Sequence, residues 1–399
     1  MEVLSMSDKI VITRIEDKIV TAMIEQGKIV EFHCERSEDK SILGNIYTAK
    51  VKNIVKNINA AFIEAADGII CYYSLTENQR HHFLKQVNRD YLVQEDEILV
   101  QVNRENIKTK QPAATANLNF TGKYLVLTSQ KHQIGISKKI RDSKRAGELK
   151  KLAEQFVRPD FGIIMRTNAE MASDDEILKE AEQLIHRFDR ICQKAVCRKA
   201  CQLVYEAPKG YLSLIRDQKQ TCLNEIITDQ SDVYDAVLAY LEETGEEEKV
   251  LQLFQKDGIR LDQIYRISHE LKQALQEKVW LKSGGYLVIQ PTEAMTVIDV
   301  NTGKAIKGKH MEKNFLKTNL EAAEEIGRQL RLRNLSGIII VDFIDMKETE
   351  SEERLMNKMR DILKKDRIKT VLVDMTGLHL VEITRKKVRK PLLEQWRER

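Results

Sequence analysis

No stretch of this 399-residue sequence approaches the ~20 consecutive apolar residues that a membrane helix needs. A membrane-spanning segment is therefore not expected. The first eight residues, Met1 to Asp8, lack a basic region followed by an apolar core, so no signal peptide is expected either. Cysteine is sparse: six residues, scattered, without the density of a disulfide-stapled secreted domain. Charge of one sign is also missing. Against 65 Lys and Arg stand 61 Asp and Glu, so a net charge of +4 does not by itself announce a nucleic-acid partner. There is no internal repeat and no low-complexity linker. These absences describe a cytoplasmic protein in a reducing compartment, long enough for two to four domains with sizeable cores.

Charge is nonetheless abundant, at 32% of residues, and its distribution says more than its sum. The run Arg385-Lys386-Lys387-Val388-Arg389-Lys390 is dense in cations and reads either as a solvated tail or as a polyanion contact. Cys192, Cys197 and Cys201 fall in one helical stretch, with Cys197 and Cys201 four apart on one face. A zinc site wants a fourth ligand and usually a paired C-x-x-C knuckle, so buried free thiols on an amphipathic helix are the expectation.

From the N-terminus, Ile10–Ile12, Ile19–Ile24 and Ile29–Phe32 read as an antiparallel meander. Short strands follow around Leu43–Val51, Ala60–Glu64, Asp67–Ile70 and Glu97–Val102, a spacing that suggests a small barrel. Phe62, Tyr72 and Tyr73 lie in it, with Lys50, Lys52, Lys56, Lys108 and Lys110 nearby. Rings that stack bases and lysines that follow phosphates would make a single-stranded nucleic-acid platform, although aromatics on strands are usually core. Strands at Tyr124–Leu127 and Phe161–Met165 precede Ser173-Asp174-Asp175-Glu176, a capping box opening a long amphipathic helix. Arg166-Thr167, just past a strand, could hold a phosphate or simply occupy a surface turn. Ser268 to Trp280 reads as a helix ending at the Ser283-Gly284-Gly285 turn. Beyond it the pattern alternates strand and helix, with an apolar helix face at Leu316, Leu320, Ala323, Gly327 and Leu330. A second capping box at Thr349–Glu352 opens the next helix, and strands close the unit at Lys369–Val373 and Leu380–Ile383. This is an α/β layer.

Two apolar strands in that layer end in carboxylates: Thr296-Val297-Ile298-Asp299-Val300-Asn301 and Ile338-Ile339-Ile340-Val341-Asp342-Phe343-Ile344-Asp345. By strand alternation Met295, Val297, Asp299 and Asn301 share a face, as do Ile338, Ile340, Asp342 and Ile344. Asp299 and Asp342 thus continue apolar rows, where a charge needs a partner such as a divalent cation. Such a cation would acidify a water and neutralise charge developing on a phosphate, with Asn301 orienting the carboxylate. Lys304, Lys307, Lys309, Lys313 and Lys317 could offset a polyanion's charge. The bland alternative is a pair of strand-end turn caps. A second alternative is a phosphate-binding loop in Gly303-Lys304-Ala305-Ile306-Lys307-Gly308-Lys309-His310, which fails at His310, where a Ser or Thr should bind magnesium.

Val279–Leu287, Ile298–Gly303, Thr318–Ala323, Ile326–Arg333, Val341–Met346 and Val381–Lys386 resemble the ribonuclease E/G family, over essentially the whole chain. The resemblance implies an endoribonuclease that cleaves single-stranded, A/U-rich RNA and leaves 5′-phosphate products. It implies a multidomain α/β and β fold: an RNase H-like subdomain split between residues 1–37 and 212–278, an OB-fold RNA-binding domain at 38–119, a 5′-monophosphate sensor region at 120–211, and a DNase I-like α/β catalytic subdomain at 279–399. On its motifs, Asp299 and Asp342 match the Mg²⁺-binding aspartates and Asn301 a supporting asparagine. Phe62, Tyr72 and Lys110 match RNA-contacting positions, and Gly122, Val126, Arg166 and Thr167 match the sensor. The resemblance further implies roles in rRNA processing or mRNA decay and a preference for 5′-monophosphorylated RNA, and leaves a homodimer open.

There are departures from the family pattern. The residues after the basic run, Pro391 to Arg399, carry no cysteine, so no zinc link is expected from them. Lys110-Gln111-Pro112-Ala113 replaces a more usual Lys-Gly pair, and Tyr72 stands where phenylalanine is usual. A nucleoside triphosphatase, which would hydrolyse ATP or GTP without cutting RNA, and a non-catalytic RNA-binding protein remain the alternatives.

Overall fold

The structure is a computed structural model that describes residues 8–37, 41–105, 111–129, 133–218, 225–245, 250–256, 258–303 and 311–398. The chain divides into two compact units, residues 39–220 and residues 1–38 together with 221–399.

In the 39–220 unit a five-stranded barrel closes on itself, as an OB-like fold does. Strand Ile46–Val55 pairs on one side with Ala60–Ala66 and on the other with Glu97–Arg104. Ile69–Ser74 and Ala113–Thr115 complete the ring. Alternation fills its interior with Ile63, Cys71, Tyr73, Ile98 and Val100, all buried. Beside it, four short strands in the order Asn119–Thr121, Leu125–Thr128, Gly162–Met165, Ile134–Ile136 are backed by helices Ser143–Glu154 and Asp174–Val196. The longer helix starts where expected. Ser173 and Glu176 form the reciprocal capping box, and Ile177, Ala181, Leu184, Phe188 and Ile191 bury one stripe. Cys192 packs beside that stripe, but the stripe ends at Ala195 and the helix at Val196: Cys197 is exposed at the C-cap and Cys201 lies beyond at positive φ. The expectation of three buried thiols on one helix is corrected accordingly.

In the other unit the N-terminal meander forms as read, Lys9–Ile15, Lys18–Glu25 and Lys28–Arg36 pairing antiparallel. Glu225–Thr228 and then Leu251–Leu253 add in parallel. A second sheet of six strands follows in the order Lys278–Trp280, Tyr286–Pro291, Met295–Asn301, Gly337–Asp342, Leu380–Arg385, Thr370–Met375. Helices Met311–Leu332 and Thr349–Lys364 cover one of its faces, burying Ile298, Val300, Ile339, Val341, Val381 and Ile383 beneath Ala322, Ile326, Leu355 and Met359. The two helices meet at Gly327, where a Cβ would lie 2.2 Å from Ile362 Cγ2; no larger residue permits that approach.

Three local expectations change. Ile267–Ala274 is helical, but Lys278–Trp280 is a strand, because the Ser283-Gly284-Gly285 turn folds Trp280 back opposite Tyr286. The helix at Thr349 is preceded by Glu348 with no side-chain cap; Ser351 is buried inside its first turn. The basic run is not a uniform solvated tail. Arg385 is buried, donating to Asp366 at 2.7 Å, to Asn334 Oδ1 and to the Leu335 carbonyl, while Arg389 pairs with Glu31.

Candidate active site

The parallel pairing of Met295–Asn301 with Gly337–Asp342 sets Asp299 directly opposite Asp342. Neighbouring strands lie about 4.8 Å apart, so the two carboxylates leave the sheet side by side. Both are exposed. The buried rows are Thr296, Ile298, Val300 and Ile339, Val341; the aspartate rows stand on the opposite, open face, where Ile338 is 48% exposed. The aspartates do continue apolar rows, Met295 and Val297 on one strand and Ile338 and Ile340 on the other, but those rows lie on the open face of the sheet. At Asp342 the cost of the charge comes from the carboxylate's own surroundings, partial burial first and the crowding of like charges second.

That crowding is visible at Asp342. Its partial burial, then the charges of Asp299 and Asp345, hold its carboxyl above the ordinary carboxylate range. Asp345 was legible as a second carboxylate after the strand, but nothing in its spacing assigned it to the site. In metal-free protein Asp345→Asn removes one of these charges, so the Asp342 titration midpoint moves down toward the ordinary carboxylate value. Carboxyl NMR reads the shift, and an unmoved midpoint removes Asp345 from the site.

Asn301 Nδ2 donates to Asp299 Oδ2 at 2.7 Å and so holds that carboxylate in one orientation. The strand end carrying them is gripped by backbone contact. A Cβ on Gly303 (φ +64°) would lie 2.3 Å from the Gly284 carbonyl oxygen, and one on Gly285 2.7 Å from that of Asn301. Helix Met311–Leu332 holds the loops around the site. Buried Asn319 donates from Nδ2 to the Ile344 carbonyl at 2.8 Å and accepts from the Ile344 N–H at 3.1 Å. Glu321 accepts from the Lys282 and Ser283 amides, and Glu312 from those of Lys347 and Glu348. Asn319 is a positioning residue that periodicity could not single out: only its burial among apolar neighbours reveals it.

The donor set suits a hard cation. It offers carboxylate and amide oxygens, without thiol or imidazole. Among the described residues no three His, Cys, Asp or Glu side chains converge on a closed metal cage. Two carboxylates fit Mg²⁺, which keeps several waters and takes few protein ligands. Lys313 and Lys317 lie exposed on the first turns of the neighbouring helix. Lys304, Lys307, Lys309 and the phosphate-loop look-alike through His310 lie outside the described residues.

In the barrel, Phe62 and Tyr72 are cross-strand partners with ring centroids 6.2 Å apart in a T-shaped pair. Ala61, Ile63, Cys71 and Tyr73 point inward, so Phe62 and Tyr72 point outward, half-buried. Tyr73 is corrected from platform to core: it is buried, and its hydroxyl meets His81 Nδ1 at 2.7 Å. Lys50 is paired with Glu95 and Lys52 with Glu64, while Lys56 is exposed. Lys108 and Lys110 lie outside the described residues.

Gly122, Val126, Arg166 and Thr167 gather on the small four-stranded sheet. Val126 is opposite Thr121 and Ile164. The Arg166 guanidinium donates to the Gly122 carbonyl and, at 2.8 Å, to Asp217. Thr167 Oγ1 lies 2.9 Å from Ser137 Oγ. Burial pushes the Asp217 carboxyl up, and the Arg216 and Arg166 guanidiniums more than reverse this, holding it below the usual carboxylate range. Glu180 accepts from the Lys123, Tyr124 and Leu125 amides, and its carboxylate would collide with any Cβ at Gly122. Asp217 and Glu180 were not singled out by spacing, being 51 and 58 residues from the groups they hold in place: Arg166 and the chain at Gly122.

Among known proteins, a model of the Ribonuclease E/G family matches residues 119–388. Ribonuclease G of Haemophilus influenzae is 32% identical over 381 residues, covering 93% of this chain and 78% of that protein. Ribonuclease G of Escherichia coli K12 is 32% identical over 387 residues, with the same coverages. Ribonuclease E of a Synechocystis species is 32% identical over 359 residues, covering 88% of this chain and 53% of that longer protein.

Proposed function

The chain belongs to the ribonuclease E/G family, and from that premise we propose that Asp299, Asn301 and Asp342 form a magnesium-dependent centre for cutting single-stranded, A/U-rich RNA. The protein is an endoribonuclease of RNA processing or decay. One observation carries the finer reading: the register that opposes Asp299 to Asp342, with Asn301 hydrogen-bonded to the first. No helix among the described residues is long and apolar enough to cross a membrane.

Asp299 and Asp342 would hold the Mg²⁺, and their mutual repulsion is what a cation relieves. When bound, it supplies charge neutralisation at the phosphate and makes a water more acidic. Asn301 holds the Asp299 carboxylate in one orientation, and Asn319 fixes the segment from Asp342 to Asp345 through Ile344. Preorganised groups of this kind lower the cost of reaching an in-line geometry. Hydrolysis in this arrangement leaves a 5′-phosphate on the downstream product. Outward-facing Phe62 and Tyr72, with Lys110, serve the RNA strand as stacking and phosphate contacts. An RNase H-like part built from residues 1–37 and 212–278, and a DNase I-like part at 279–399, belong to the same proposal, as do a homodimer, rRNA and mRNA substrates and a cytoplasmic location.

Gly122, Val126, Arg166 and Thr167 are assigned to a 5′-monophosphate. Supporting this, Arg166 is clamped by the Gly122 carbonyl and Asp217, which fixes the plane of its guanidinium before a phosphate arrives. The test incubates the protein with an unstructured A/U-rich RNA bearing a 5′-monophosphate or a 5′-hydroxyl, in magnesium or in EDTA. Cleavage is expected only in magnesium, and about tenfold or more faster with the monophosphate, the range of a hydrogen bond to a charged group. Arg166→Ala removes that preference and leaves the 5′-hydroxyl rate unchanged. Equal rates for the two RNAs with the wild type would dismiss the sensor; cutting in EDTA would dismiss the metal.

A further inference from the structure

We propose that Trp280, Tyr286 and Lys278 form a nucleotide-stacking subsite on the open sheet face, taking the base of a nucleotide adjacent to the scissile phosphate. The proposal rests on the endonuclease reading of the aspartate pair.

Sheet register places the three residues. Trp280 opposes Tyr286, which opposes Asn301; Lys278 opposes Val288, which opposes Asp299 and then Asp342. Directly opposed residues share a face, so all of these side chains leave the sheet on the side that carries the carboxylates. Two strand spacings separate Trp280 from Asn301, about 10 Å.

The aromatic pair does not behave as core. Trp280 is 66% exposed, whereas the chain's other tryptophan, Trp396, packs on the apolar cluster of the N-terminal sheet. An indole used only for packing belongs on the opposite face, beneath the helices, where Leu281, Leu287 and Ile289 are buried. Instead Trp280 stands edge-on to Tyr286, with ring centroids 5.3 Å apart. The Lys278 ammonium sits 4.1 Å from the Trp280 ring centroid and 3.6 Å from that of Tyr286. It braces both rings by cation–π attraction and occupies one side of them, so much of the indole stays open to solvent. An exposed π-face next to a fixed cation is the pairing that holds a base and its phosphate in single-stranded nucleic acid. Beside two carboxylates, the cation also offsets local repulsion of the incoming strand.

The experiment uses the full-length protein with magnesium and a 5′-monophosphorylated A/U-rich RNA cut at one position. Matched RNAs carry a single abasic nucleotide at each position flanking the cut. Trp280→Ala is expected to raise KM about tenfold with kcat little changed, the size of one lost base stack. Trp280→Phe restores most of it. At one flanking position the abasic RNA penalises the wild type but not Trp280→Ala, which locates the stacked base. Equal KM for wild type and Trp280→Ala on every RNA overturns the subsite and leaves the endonuclease reading standing. A Trp280→Ala loss that no abasic position reproduces assigns the residue to structure and also overturns it. If the wild type cuts none of these RNAs, the endonuclease reading falls, and the subsite with it.

Discussion

Asp342→Asn and Asp299→Asn are each expected to lower RNA cleavage by about a thousandfold or more while leaving RNA binding in place. Each removes a charge from the pair that the strand register brings together, and neither touches the buried side of the sheet. The metal-free variants should fold at least as well as the wild type. Asp342 titrates above the ordinary range in the folded protein, so the native state binds that proton more tightly than the unfolded chain. Its charge therefore costs stability once pH rises past the unfolded value, and relief comes on protonation. An uncharged amide at that position removes the cost at pH 7. Thermal melts with and without magnesium check this: the cation should raise the melting temperature of the wild type and not of Asp342→Asn. Retained magnesium-dependent cleavage in both variants would sink the assignment.

The largest expected loss of stability lies under the same sheet, at Asp366→Ala. Asp366 and Arg385 are both nearly fully buried and joined at 2.7 Å, and Asp366 also accepts from Thr370 and the Ile368 amide. Deleting the carboxylate leaves a buried guanidinium with only neutral acceptors, Asn334 and the Leu335 carbonyl. Breaking a buried pair in this way costs about 3–5 kcal/mol. Burial pushes the Asp366 carboxyl up, but the hydrogen bond and charge of Arg385 outweigh it and hold the group below its ordinary range. The stabilisation is therefore present above the unfolded carboxylate value, near pH 4, and is lost as pH falls through the folded one. Denaturant unfolding at pH 7 and at mildly acid pH measures both effects. A midpoint unchanged by Asp366→Ala at pH 7 would show the pair contributes nothing.

Local chemistry made much of the fold legible. The meander, the barrel strands and the Ser173 capping box were readable because each depends on a few neighbouring residues with one dominant period. The failures share a cause as well. Trp280 extends a helical pattern, yet it is a strand because the chain turns back and sets it opposite Tyr286, six residues on. Arg385 reads as one more cation in a basic run until Asp366 is seen beneath it. Tyr73 and Phe62 look equivalent in sequence; only closure of the barrel sends one inward and the other outward.

The same division runs through the site. The sequence by itself determined the residue types: two acid-ended strands, an asparagine two residues after the first aspartate, and glycines where backbones must touch. Those are properties of short segments, and the resemblance to ribonucleases E and G was carried by them. Tertiary structure decided what the segments do together. Whether Asp299 meets Asp342 depends on parallel register across a 22-residue helix, and which face they share depends on where that helix packs. Alternation specifies two faces but cannot say which one is covered, because burial is a property of the assembled layers. That choice put the carboxylates, Asn301 and Trp280 together on the open side of one sheet.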